Sequence, residues 1–231
     1  MSINNASFIY HTLSEQIRSG RLTHQLPAER RLSELFNTTR ITLRDALMQL
    51  EHQGLIYREN RRGWFVSPSR IHYNPLLNFN FNRMVSSQGR TPSTQVLSSD
   101  IIPANAQVSR WLAITEGQPV IQIRRARRID NRLVLYAEHY LNPAYFPHIL
   151  QFDFTQSLSE IYQQHYGLTY GKVRFDMQST ALSQSVANVL KMSEGSPALQ
   201  IVRSNQDQHG RLIDCDYELW RHDALSVCVD V

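Results

Sequence analysis

Two stretches of this chain repeat each other. Leu112-Ala-Ile-Thr-Glu-Gly-Gln-Pro-Val-Ile-Gln-Ile and Leu190-Lys-Met-Ser-Glu-Gly-Ser-Pro-Ala-Leu-Gln-Ile agree at Leu, Glu-Gly, Pro and Gln-Ile, with one constant offset of 78 residues. Each copy reads as a helix stopped at Glu-Gly, then a strand, a polar turn and a returning strand. In the first copy these are Val120 to Arg128, Asp130-Asn131 and Leu133 to Leu141; in the second, Ala198 to Asn205, His209-Gly210 and Leu212 to Trp220. Two such units close into one antiparallel sheet with helices on a face, so the expected class is α+β. Two copies are too few for a solenoid.

A different pattern precedes the duplication. Ile9, Leu13 and Ile17 form one apolar stripe, with Gly20 as its stop. Pro27 opens a second helix in which Leu32, Leu35 and Phe36 share a face. Asn37-Thr38-Thr39 supplies a tight turn and a hydroxyl cap for a third, with Leu43, Ala46, Leu47 and Leu50 inward and Gly54 at its end. Leu55-Ile56-Tyr57 and Trp64-Phe65-Val66 then read as a hairpin with Arg61-Arg62-Gly63 at the tip. Helices joined by a tight turn and followed by a two-stranded wing predict a winged helix-turn-helix over residues 1–72. Pro68, Pro75 and several Asn break the periodicity, which predicts an extended connector over 73–82 and a second domain over 83–231.

Charge separates the same two parts. Residues 1–70 hold ten Arg, no Lys and six acidic residues, whereas the remaining basic and acidic side chains balance at fourteen each. All the excess positive charge therefore lies on the amino-terminal domain, an electrostatic footprint for a polyanion. Arg40 and Arg44 are four apart on the third helix with Thr42 between them, on the side away from Leu43 and Leu47. Their guanidinium groups suit guanine edges and phosphates, so double-stranded operator DNA is the expected partner.

In the second domain, Arg125 and Arg127 share one strand face and Arg124 and Arg128 the other, and the duplication links Arg125 to Arg203. Four arginines within five residues are poor strand formers but bind phosphate, phosphonate or carboxylate well. The bland reading is a salt-bridged edge strand. Glu138, Asp214 and Asp216 are expected to reach the same cleft, giving a pocket for a small anionic or zwitterionic effector.

Leu26-Pro-Ala-Glu-Arg-Arg-Leu32, Thr39-Arg-Ile-Thr-Leu-Arg44 and Arg62-Gly-Trp-Phe-Val66 resemble the GntR-type regulators. The resemblance implies that Arg30, Arg40, Thr42, Arg44, Arg62 and Gly63 contact operator DNA and that the protein acts as a homodimer. It extends over nearly the whole chain to the HutC branch, whose ligand-sensing UTRA domain has a chorismate-lyase-like fold. There it implies an effector site at Arg125, Arg127, Glu138, Ser157 and Asp214. Asp214 stands where many members have Glu, and Ser159 where many have Tyr. Asn37-Thr-Thr-Arg-Ile-Thr, Arg61-Arg-Gly-Trp-Phe-Val, Asp207-Gln-His-Gly-Arg and Trp220-Arg-His-Asp are similar to a phosphonate-uptake regulator of enteric bacteria. That similarity implies repression of phosphonate uptake and use genes, with 2-aminoethylphosphonate as effector. A phosphorylated sugar or amino sugar, or another carboxylate metabolite, is the alternative.

Other classes find little support. No Ser-His-Asp or Cys-His elbow and no Gly-rich phosphate loop occurs, so a lyase-like enzyme is the lesser alternative. The nine His lack metal-ligand spacing and Cys215 and Cys228 cannot form a framework, so no cofactor is expected. No apolar run approaches a membrane span, and the polar start lacks a secretion signal, which predicts a cytoplasmic protein.

Overall fold

The computed structural model describes residues 5–59, 62–77 and 80–229, so Asn60 and Arg61 of the expected wing tip lie outside the described residues. The chain divides into two compact units. One holds the chain up to Arg70 together with His222–Ala224; the other holds Ile71–Arg221 and the residues from Leu225 onward.

The first unit contains α1 (Ala6–Arg18), α2 (Glu29–Leu35), α3 (Arg40–His52), β1 (Ile56–Glu59) and β2 (Gly63–Val66). Side chains with free acceptors start two of the helices: Asn5 Oδ1 accepts from Phe8 N at 2.8 Å, and Thr39 Oγ1 accepts from Thr42 N at 3.2 Å. Leu43, Ala46, Leu47 and Leu50 of α3 are buried against Ile9, Leu13, Leu32, Ile56 and Trp64. Each buried leucine or isoleucine contributes about 1.5–3 kcal/mol. Leu35 is a correction, being 65% exposed. The helix ends there, and Phe36 in the cap turns inward to pack on the core instead.

The wing strands pair from Ile56↔Val66 to Glu59↔Gly63. The segment before α2 lies along them, with Leu26 N donating to Trp64 O at 2.9 Å and Val66 N to His24 O at 2.7 Å. Past α3, Gly54 has φ +72°, and a Cβ there would lie 2.9 Å from Asp223 Cβ. Only glycine permits that approach. His222 Nε2 donates to Glu51 O at 3.0 Å, and Ser67 Oγ donates to Asp223 Oδ2 at 3.3 Å, so His222–Ala224 belongs to this unit's packing.

The second unit runs β3 (Ile71–Tyr73), α4 (Phe81–Ser86), β4 (Pro92–Pro103), α5 (Ala106–Leu112), β5 (Pro119–Ile129), β6 (Arg132–Leu141), α6 (Leu158–Ile161), β7 (Tyr170–Ala181), α7 (Gln184–Leu190), β8 (Pro197–Asp207), β9 (Leu212–Arg221) and β10 (Leu225–Val227). β4 to β9 form one antiparallel sheet in the order β4-β5-β6-β9-β8-β7. Tyr73, at the start of the expected connector, is instead buried in β3, which pairs in parallel with β10.

The duplication is visible atom by atom. α5 and α7 both end on a left-handed residue, Ala113 and Lys191. Gly117 N donates to Ala104 O at 2.8 Å, and Gly195 N to Leu182 O at 2.9 Å. Both hairpins carry a bulge at the same place, between Arg127 and Arg128 and between Asn205 and Gln206. α5 and α7 cover one face of the sheet, packing Val108, Leu112, Val186 and Leu190 on residues such as Val120, Ala126, Tyr140 and Leu219. The other face is covered by the β6–β7 connection, where Phe146, Ile149, Phe154, Leu158 and Tyr162 pack on Ile121, Ile123 and Leu141.

Candidate functional site

On that second face, strand alternation turns Arg125 and Arg127 of β5, His139 of β6, Arg203 of β8 and Asp216 of β9 to one side. They line a small, partly open cavity, joined by Thr94, Gln156, Ser157, Ser159, Tyr170 and, from the α4 region, Asn80 to Asn82. Arg125 is 1% exposed. Its Nε and Nη2 donate to His139 Nε2 at 3.0 and 2.8 Å, and its Nη1 donates to the carbonyls of Phe154 and Gln156 at 3.2 and 3.0 Å. Because His139 Nε2 accepts, the ring proton sits on Nδ1 and is donated to Asp216 Oδ1. Burial, then the Arg125 charge, pushes the His139 pKa down to about 3, so the ring is neutral.

Asp216 also receives Arg203 Nη2 at 2.6 Å and Asn205 Nδ2 at 3.0 Å. Burial alone would raise its pKa, but the Arg203 charge and the His139 bond outweigh it and hold the carboxylate ionised. Glu218 completes the network, 3.2 Å from Arg203 Nη2 and accepting from Trp220 Nε1 at 2.8 Å. Three guanidinium groups thus face two carboxylates. Arg127 carries the remainder: its Nε has no partner, it has no carboxylate at ion-pair distance among the described residues, and its guanidinium lies 4.7 Å from the Phe81 ring centroid. Burial, then the neighbouring Arg125, lowers its pKa well below the ordinary value. A buried cation without a carboxylate beside it at the wall of a cavity favours a negative charge next to it. The hydroxyls of Ser157 and Ser159, 2.9 Å apart, stand on the same wall.

Two expected site residues lie elsewhere. Glu138 does not reach this cavity: it sits on the opposite face beside Arg124, accepting from the hydroxyls of Tyr136 at 2.6 Å and of Tyr140. The bulge explains this, because one extra residue in the returning strand reverses the facing of everything beyond it. Asp214 has the correct facing but is fully buried, and it accepts from the hydroxyls of Tyr162 and Tyr170 at 3.0 Å each. Burial and the nearby Asp216 raise its pKa, and it is not among the residues lining the cavity. Asp216, expected in the cleft beside Asp214, does line the cavity, whereas His139 and Arg203 are the members that sequence reasoning left without a role; the 78-residue offset from Arg125 to Arg203 is the one available signal.

In the first unit, Arg40 and Arg44 are exposed on α3, and the Thr42 hydroxyl lies 3.0 Å from that of Thr39. Arg30 is on α2, 3.7 Å from Glu34. Arg62 pairs with Glu59 and lies 5.2 Å from the Phe65 ring centroid, while Gly63 takes φ +99°, a conformation suited to glycine. Glu29, unassigned by the sequence, ties these parts together by accepting from Trp64 Nε1 of the wing and Arg44 Nε of α3, both at 3.0 Å. Burial would raise its pKa, but those two hydrogen bonds and the Arg44 charge lower it overall. A lowered folded pKa stabilises the unit above the unfolded value and is lost as pH falls through the folded one. Glu29→Gln should therefore cost about 1 kcal/mol at neutral pH, and the difference from the parent, read by urea unfolding, should shrink below about pH 4.

Among the described residues no helix is long and apolar enough to cross a membrane, and no group of three or more His, Cys, Asp or Glu is placed to hold a metal ion. Residues 5–66 match the model of the bacterial regulatory proteins of the gntR family, and residues 87–226 match that of the UTRA domain. The uncharacterized HTH-type transcriptional regulator YihL of Escherichia coli K12 is 30% identical over 210 residues, covering 90% of this chain and 88% of its own. The transcriptional repressor NagR of Bacillus subtilis is 25% identical, with 98% and 96% covered, and the probable regulator PhnF of E. coli K12 is 27% identical, with 94% and 91% covered. The crystal structure of PhnF from Mycobacterium smegmatis superposes with a TM-score of 0.68 at 21% identity, covering 96% of this chain and 98% of that one, a likeness of fold.

Proposed function

The chain belongs to the GntR family of bacterial regulatory proteins, as a DNA-binding transcriptional regulator with a UTRA domain rather than an enzyme, and from that premise we propose that a small anion held on Arg127 controls its binding to operator DNA. The observation that carries this reading is the buried, unneutralised Arg127 guanidinium facing a cavity with two serine hydroxyls. In this scheme the unit that runs to Arg70 binds DNA, and the unit that begins at Ile71 binds effector and forms a homodimer, whose two-fold symmetry matches two operator half-sites. Arg127, Ser157 and Ser159 receive the anionic group, and Arg125 orients the cavity wall through the Phe154 and Gln156 carbonyls.

The proposed effector is 2-aminoethylphosphonate, acting on a repressor of phosphonate uptake and use genes. Its ammonium would meet Asn80, Asn82 and Gln156 rather than Glu138. A phosphorylated amino sugar is the second reading, favoured by the same amide-rich lining. A thermal-shift titration against 2-aminoethylphosphonate, phosphorylated amino sugars, urocanate and inorganic phosphate tests the proposal. At a hundredfold excess over Kd, the binding ligand should stabilise the protein by about 2.7 kcal/mol. No shift with any of them overturns the anion reading.

For DNA, Arg30, Arg40, Thr42, Arg44, Arg62 and Gly63 are the proposed contacts. Arg40→Ala and Arg44→Ala should each weaken operator binding by about 1–3 kcal/mol if they read bases. Losses of equal size on unrelated duplex DNA would reassign them to phosphates.

A further inference from the structure

Ile41 is 76% exposed, the largest exposure among the big apolar side chains of the described residues. It is the second residue of α3, whose buried stripe is Leu43, Ala46, Leu47 and Leu50. Helical spacing places Ile41 on the side opposite that stripe, between the directions of Arg44 and Thr42. A β-branched apolar residue at such a position adds nothing to the core and loses helix propensity relative to Ala. Its cost therefore needs an outside partner.

Its surroundings restrict what that partner is. Arg40 precedes it, and Arg44, whose Nε is held by Glu29 at 3.0 Å, lies one turn on. Cations flanking a single apolar tip match a polyanion that also offers an apolar group at its reading edge. In duplex DNA that group is the thymine 5-methyl in the major groove, the one apolar group a base pair displays there. The first turn of a recognition helix is also the part that meets base edges.

We propose that Ile41 is a specificity-determining residue that packs on a thymine methyl and selects an A·T pair at one position of each operator half-site. This rests on the reading of α3 as the recognition helix. Unlike the flanking arginines, Ile41 makes no charged contact, so its contribution changes sequence preference and leaves the salt dependence of binding unaltered.

The experiment selects a preferred site from randomised duplexes with the full-length protein, then replaces each thymine of that site in turn by deoxyuridine, which lacks only the methyl. One replacement per half-site should weaken parental binding about fourfold, equivalent to the about 0.8 kcal/mol of one buried methyl-sized group. In Ile41→Ala the same replacement should have no effect, and that variant should accept other pairs at that position alone. Ile41→Thr, which keeps one methyl, should retain part of the discrimination. Unfolding of both variants should match the parent, because the side chain is exposed. The inference is overturned if no deoxyuridine replacement weakens binding, or if replacement weakens parent and Ile41→Ala equally. Failure to select any site would instead overturn the recognition-helix reading itself.

Discussion

Arg125→Ala should destabilise the sheet unit by about 3–5 kcal/mol, the cost of removing one member of a buried ionic network. The variant strands the Phe154 and Gln156 carbonyls and the His139 Nε2, which Arg125 satisfies. It also removes one of the charges that favour the Asp216 carboxylate and relieves the charge that, after burial, holds the His139 pKa low. For a unit of this size that corresponds to a fall of about 6–20 °C in the calorimetric transition. Loss of effector binding in this variant would therefore report a collapsed cavity wall as readily as a lost contact. A Tm within a degree or two of the parent would sink the assignment of Arg125 to the scaffold.

Arg127 should behave in the opposite way. Arg127→Met keeps a long apolar stem against Phe81, where the guanidinium now lies 4.7 Å from the ring centroid, and removes a buried cation that has no carboxylate partner. Without ligand the variant should be about 1–2 kcal/mol more stable than the parent, since replacing a poorly compensated buried charge by an apolar group of similar volume is often stabilising. At a hundredfold excess over the parent Kd, the stabilisation by the effector should fall from about 2.7 to about 0.3–1.3 kcal/mol, because a charge-assisted contact of about 1.5–3 kcal/mol has gone. Read together by calorimetry with and without ligand, the two variants separate holding the cavity from using it. A destabilised Arg127→Met that still binds would reverse the roles.

Much of this layout is legible in the sequence because it is set by local periods. The cap at Thr39, the buried face of α3 and the two helix-hairpin copies all follow from spacing and turn chemistry. The shared facing of Arg125 and Arg127 follows from alternation within one strand. Glu138 shows where that reasoning stops. With a plain two-residue turn at Asp130-Asn131, Arg125 would face Tyr136, and Glu138 would share its side. The bulge at Arg127/Arg128 instead sets Arg125 against Ala137 and so brings His139, not Glu138, into the cavity. The junction of Asp216 with His139 depends on β6 pairing with β9, strands far apart in the sequence, and no local pattern announces such a pairing.

The first unit is not a contiguous stretch of the gene. Residues up to Arg70 supply its helices and wing, but His222–Ala224, which touch Glu51, Gly54 and Ser67, are read a whole domain later. During synthesis the three helices leave the ribosome long before the segment that packs against the end of α3 exists. Any chain terminated before residue 222 carries every helix and strand of the module and still lacks that piece. In the intact molecule, by contrast, the DNA-facing module is finished only after the whole sensing sheet has been translated.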